Sequence, residues 1–194
     1  VKTWLASLDS NKPRYEHHLC EALWTIWGAG SVDHEILAAA LNAKSHQARA
    51  AAVDVIRFAW RGIPDHASLL VKAAADPHPR VRLAAMVAAS WLDSADGARV
   101  AVEALEHPLD FWMTEAYKSA LVTLKDDITA LSKTQSFNPA SKPRTAAFLA
   151  GKLNLYASNT PAPPPEPKLP PAELALYRKG KEVFHRDVHC ATCH

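Results

Sequence analysis

Apolar residues recur at three- and four-residue steps from Val1 to about residue 156, the period of helices that each bury one stripe. The pattern predicts a series of helices roughly 10 to 20 residues long. The clearest runs from Arg80 to Leu92 and is opened by Asp76-Pro77-His78-Pro79. Proline near a first turn lacks only a donor the helix would not have used.

That pattern repeats. Ala48-Arg49-Ala50-Ala51-Ala52-Val53 aligns with Val81-Arg82-Leu83-Ala84-Ala85-Met86, and Tyr15-Glu16-His17-His18-Leu19-Cys20 precedes the first of these by the same offset. A fourth copy follows the third at nearly that offset, with Ala116 and Tyr117 in the slots of Ala84 and Ala85. Partner helices are expected between the copies, at Asp33 to Leu41, His66 to Ala75 and Gly97 to Glu106. A two-helix unit repeated every few tens of residues predicts an α-solenoid, in which each hairpin buries its apolar face only against its neighbours. The stretch from Asp76 to Ala85 resembles a HEAT repeat, so the expectation is an all-α, HEAT-like solenoid of about four hairpins over residues 1–156. In it Arg49 and Arg82 form a structural ladder to carbonyls or acids of adjoining turns.

From Ala157 the pattern stops. Residues 157–171 hold half of the 14 prolines and read as a polyproline linker. At about 3.1 Å per residue, Pro161 to Pro171 spans roughly 30 to 35 Å. Helical periodicity resumes from Pro171 to Arg186, with Leu174, Tyr177, Gly180 (or Lys181) and Phe184 on one face. Glycine costs a helix about 1 kcal/mol relative to alanine, so Gly180 predicts close passage of another helix beside Phe184.

Composition agrees with helices: 48% of residues are hydrophobic, Ala dominates them, and Gly is scarce at 6. The net charge of +2 comes from interspersed bases and acids, with no basic stripe to track a phosphate backbone, so no nucleic-acid partner is expected. No run approaches the roughly 20 apolar residues of a membrane span, and the first residues do not form a signal peptide. The chain starts without Met and stops on the fifth residue of a motif, which leads us to expect a piece of a longer polypeptide. Of the three cysteines, Cys20 falls on an apolar helix face and is expected to pack as a small hydrophobe. The 10 histidines follow the repeat, His34 and His66 matching across it at helix starts, as do His46 and His78. They are not expected to converge on one point, nor to hold zinc.

Chemistry concentrates at the end, in Cys190-Ala191-Thr192-Cys193-His194. Two thiols one helical turn apart can each add to a vinyl group of one porphyrin edge, and the following histidine then lies beneath the iron as proximal ligand. Cys190 and Cys193 are thus the candidate thioether positions for a covalent haem c, and His194 the candidate iron ligand. A thioredoxin-like dithiol would want a βαβ context, which the pattern lacks; half of a zinc site would want a second ligand pair. Gly180-Lys181-Glu182-Val183-Phe184 leading into Cys190 resembles the N-terminal helix of class I c-type cytochromes. Met86 and Met113 read as core, so the distal ligand is expected outside this chain.

Tyr15 to Trp24, the HEAT-like stretch through Trp91, Pro108 to Met113 and Gly180 to His194 together resemble the large haem-binding proteins of planctomycetes and verrucomicrobia, which are membrane-associated dehydrogenases. The resemblance implies an upstream β-propeller similar to quinone-dependent sugar dehydrogenases, with a cofactor such as PQQ. It also implies periplasmic oxidation of sugars or alcohols, a redox partner that accepts electrons from the haem, and completion of the cytochrome after His194. Residues 172–194 would then open a cytochrome c domain, and no catalytic residue of the propeller falls within these 194 positions. Cys20 replaces a Leu of that family.

Overall fold

The computed structural model describes residues 1–109, 111–135, 137–153 and 166–186; of Ser94, Phe111, Trp112 and residues 181–186 it describes the backbone alone. The described residues form helices α1 (Lys2–Ala6), α2 (Tyr15–Gly28), α3 (His34–Leu41), α4 (His46–Ala59), α5 (His66–Ala74), α6 (Pro79–Ala89), α7 (Ser94–Leu105), α8 (Phe111–Ser132), α9 (Pro143–Leu149) and α10 (Pro171–Arg186). A single 3₁₀ turn, Trp60–Gly62, extends α4. Two compact units result, Val1–Thr160 and Pro161–His194.

In the first unit α1/α2, α3/α4, α5/α6 and α7/α8 pair as hairpins, and α4 packs along α6 more extensively than any other described pair. The reason is visible in the repeat. Buried Leu19, Cys20, Ala22 and Leu23 of α2 recur one repeat later as Ala52, Val53, Val55 and Ile56, and again as Ala85, Met86, Ala88 and Ala89. In α8 the same slots recur as Tyr117, Ala120 and Leu121, all buried. Small residues on one helix thus face branched ones on the next, and backbones approach closely. Burying side chains such as Leu23, Ile56 and Met86 stabilises by about 1.5–3 kcal/mol each.

Helix lengths depart from the expected range in both directions. α3 has 8 residues and α5 has 9, whereas α8 has 22. α3 is bounded by caps: Asp33 Oδ1 accepts from the Glu35 and Ile36 N–H groups at 3.1 Å each, and Asn42 ends the helix with its side-chain amide on the Ala38 carbonyl at 2.8 Å. The array is closed by α9, which begins on Pro143. Its first N–H groups, of Arg144 and Thr145, donate to Glu106 at 3.1 and 2.9 Å.

Close helix passage occurs at Gly97, where an added Cβ would overlap the Ala89 carbonyl oxygen and press Leu124 Cδ2 at 3.1 Å. At Gly180, where the sequence led us to expect it, a Cβ would meet nothing within 4 Å among the described residues. In α10 Leu174 is half-buried while Leu176 and Tyr177 are exposed, and Arg178 forms a two-pronged ion pair with Glu166 at 2.7 and 3.0 Å. The Phe184 side chain lies outside the described residues.

Candidate functional site: an inter-repeat polar seam, an aromatic strip and the attachment motif

The loop side of the solenoid carries a seam of polar groups in one repeated slot. Arg49 Nη1 donates to the carbonyls of Ala43 and Lys44, both at 2.9 Å, and Arg82 Nη1 to the corresponding carbonyls of Asp76 and Pro77 at 2.9 and 3.1 Å. Each arginine also reaches the next repeat. Arg49 holds the Asp76 carboxylate with Nε at 2.7 Å and Nη2 at 2.9 Å, and Arg82 Nη2 bonds the Pro108 carbonyl at 3.0 Å. The expected ladder is present. Glu16 occupies the same slot one repeat earlier and bridges with opposite polarity, accepting the Lys44 and Ser45 N–H groups at 2.7 and 2.8 Å. The alignment of Tyr15–Cys20 with Ala48–Val53 already set Glu16 under Arg49, and that register was the signal for it.

Burial alone would raise the Asp76 carboxyl, but hydrogen bonds from Arg49 and the His78 N–H, with the charge of Arg49, outweigh it and hold it below the usual carboxylate range. Glu103 behaves alike: burial pushes up, and Lys142 Nζ at 2.5 Å together with His107 pulls it below the usual value. Cys20 is a buried free thiol packed among Ala43, Ala48 and Ala51, its pKa raised by burial and then by Glu16 and Glu21, as a structural residue should be.

The histidines correct one expectation, because two of them do come together. His46 and His78, equivalent positions in successive repeats, lie face to face with centroids 3.5 Å apart and planes at 6°. Stacked rings present their nitrogens edge-on and side by side, so this pair does not converge on an ion. No group of three or more His, Cys, Asp or Glu able to hold a metal occurs among the described residues. A groove of about 330 Å³ between α3 and α5 is lined by Leu41, Leu69, Arg49 and Asp76. Of its charged groups, Arg49 and Asp76 are bonded to each other, and Lys72 Nζ donates to Asn42 Oδ1 at 3.3 Å.

The C-terminal ends of α2, α4 and α6 carry a strip of aromatic side chains that sequence reasoning missed. Trp27 stacks on Phe58 at 5.7 Å and 16°, and Trp91 meets the other side of Phe58 edge-on at 5.3 Å and 74°. The Arg57 guanidinium lies 4.7 Å from the Phe58 centroid and 4.4 Å from that of Trp91, and Arg61 lies 4.4 Å from Trp60. Phe58 and Trp91 are 49% and 50% exposed, in contrast to the closely buried positions one turn away. Phe58 and Trp91 are separated by the same interval as Arg49 and Arg82, so the repeat itself aligns them; an aromatic in the repeat register beside a buried slot was the legible clue.

The attachment residues Cys190, Cys193 and His194 lie outside the described residues, as do 154–165 of the proline-rich stretch. Among the described helices none is long and apolar enough to cross a membrane.

Helix order, hairpin packing and the slot-for-slot repetition of buried residues define residues 1–153 as an α-helical solenoid. Within it, residues 34–121 match the family of HEAT repeats, and that region is a HEAT-repeat region. No curated protein and no solved structure matches the chain.

Proposed function

We propose that this chain is a HEAT-type protein–protein interaction scaffold whose aromatic strip is the face that holds a partner. The observation that carries this reading is the strip itself: Phe58 and Trp91 are half exposed and are held against Trp27 and Arg57. Exposed tryptophan with arginine is the composition that dominates binding energy at protein interfaces. The test replaces Phe58 and Trp91 with Ser in the full chain and follows complex formation by size-exclusion chromatography with the separately purified partner domain. Loss of the complex with an intact helical spectrum supports the reading, and an undiminished complex removes it.

A second reading is favoured by a specific observation, the sequence Cys190-Ala191-Thr192-Cys193-His194. On it the scaffold serves electron transfer: Cys190 and Cys193 form thioethers to haem c, His194 ligates its iron, and the haem passes single electrons to an acceptor. The parent is then an exported, periplasmic oxidoreductase whose quinone-dependent β-propeller dehydrogenase domain is the partner held by the solenoid. Chain produced with a periplasmic haem-ligation system should show haem that survives acid-acetone extraction. Extractable haem, or none, removes this reading and leaves the first intact.

A further inference from the structure

The stacked histidines join two helix starts. His46 is the first residue of α4, and His78 is the N-cap of α6, its Nδ1 accepting the Arg80 N–H at 3.2 Å. An acceptor at Nδ1 requires the proton of the neutral ring to sit on Nε2. Protonation of His78 therefore falls on the capping atom itself, which becomes a donor facing a donor, and it sets a positive charge at the positive end of a helix dipole.

The cations facing His46 oppose an added proton there. Arg49 on α4 and Arg80 on α6 are cations, and Lys72 on α5 shares a groove with Arg49 and Asp76. The two carboxylates nearby are already used: Glu16 on α2 accepts the Lys44 and Ser45 N–H groups, and Asp76 accepts from Arg49 and from the His78 N–H at 2.8 Å. His46 is lowered from its usual value by burial first, then by His78, Arg49 and Arg80, with Asp76 acting weakly the other way.

We infer that the His46–His78 stack is a proton-operated joint between the α3/α4 and α5/α6 hairpins, closed while both rings are neutral and released at its helix-start edge when either takes a proton. The α4–α6 contact is the most extensive described helix pair, so loosening one end changes how successive repeats are set without dissolving the core. The sign follows from the direction of the shift. A depressed histidine stabilises the closed state fully above the unfolded-chain value, about 6.5, and that contribution is lost as pH falls through the lower folded value.

The test uses the full chain at pH 7.5 to 5, with imidazole titration by NMR and amide hydrogen exchange corrected for intrinsic rate. His46 should titrate below the histidines of the urea-unfolded chain. Protection of the Arg80 and Val81 amides should fall by up to about tenfold per pH unit as it does so. His78→Asn keeps a capping acceptor without a titrating ring and should hold protection constant, and His46→Phe keeps the stack and should reduce the pH response. Unchanged wild-type protection across this range, or an equal loss in His78→Asn, would overturn the joint. Because the titration needs no variant, a misfolded substitution does not blunt the test.

Discussion

Replacing Arg49 with Met should cost about 3 kcal/mol of stability. Arg49 makes two bonds to the Asp76 carboxylate, at 2.7 and 2.9 Å, and two to carbonyls of its own repeat at 2.9 Å. Its side chain is 16% exposed and that of Asp76 11%, so neither end is well solvated. Removing one partner of a buried ion pair costs about 3–5 kcal/mol, because the remaining charge keeps its desolvation without its counter-charge, and residual exposure favours the lower figure. Methionine preserves the aliphatic stem's packing, so the loss reports the guanidinium and not a cavity. In a unit of this size the midpoint of thermal unfolding should fall by roughly 6–12 °C. The assay is urea unfolding of the full chain at pH 7 followed by far-UV circular dichroism, with Asp76→Asn and the double variant completing a cycle. A coupling of about 2 kcal/mol is expected. A single-variant loss under about 1 kcal/mol, or effects that simply add, would refute the view that this pair ties adjacent repeats together.

Three further outcomes can be checked. Asp76 and Glu103 sit below their usual values when folded, so their contribution is present above about pH 4.5 and is lost as pH falls through the lower folded values; an acid titration of stability should drop in that window, and a flat curve from pH 5 to 2.5 contradicts it. Gly97→Ala should destabilise by about 1–3 kcal/mol because the new methyl meets backbone, whereas Gly180→Ala, which meets nothing among the described residues, should raise the helicity of α10; denaturation and helix content read these separately. On the electron-transfer reading, Cys190→Ala and Cys193→Ala produced with a haem-ligation system should each retain one thioether, with a pyridine haemochrome band shifted from that of the parent, and the double variant should retain none.

The repeat was the most legible part of the molecule. The interval between Arg49 and Arg82 set the register of three helices, and the buried slots from Leu19 to Ala89 follow it. Helix lengths were less legible, because α3 and α5 end where Asn42 and Ala75 turn the chain, and apolar periodicity does not mark such stops. The histidine stack was hidden for a related reason. The matching of His46 with His78 reads as repetition along the chain, yet in a solenoid equivalent positions are also neighbours in space. Gly97 was the glycine that periodicity did not single out: the Ala89 carbonyl crowds it, whereas the helix expected to cross Gly180 belongs to the part of a cytochrome domain expected after His194. The aromatic strip was overlooked because tryptophan on an apolar-periodic helix reads as core, and only the exposure of its helix ends distinguishes it.

The most direct test of the scaffold reading is hydroxyl-radical footprinting of the full-length protein, alone and in the assembly isolated from its source. Phe58 and Trp91 should react readily in the free protein and become at least several-fold protected in the assembly, while exposed Trp4 on α1 serves as a reference off the strip. If the two strip residues react equally in both states while protection falls elsewhere, the aromatic face does not hold the partner and the account is wrong.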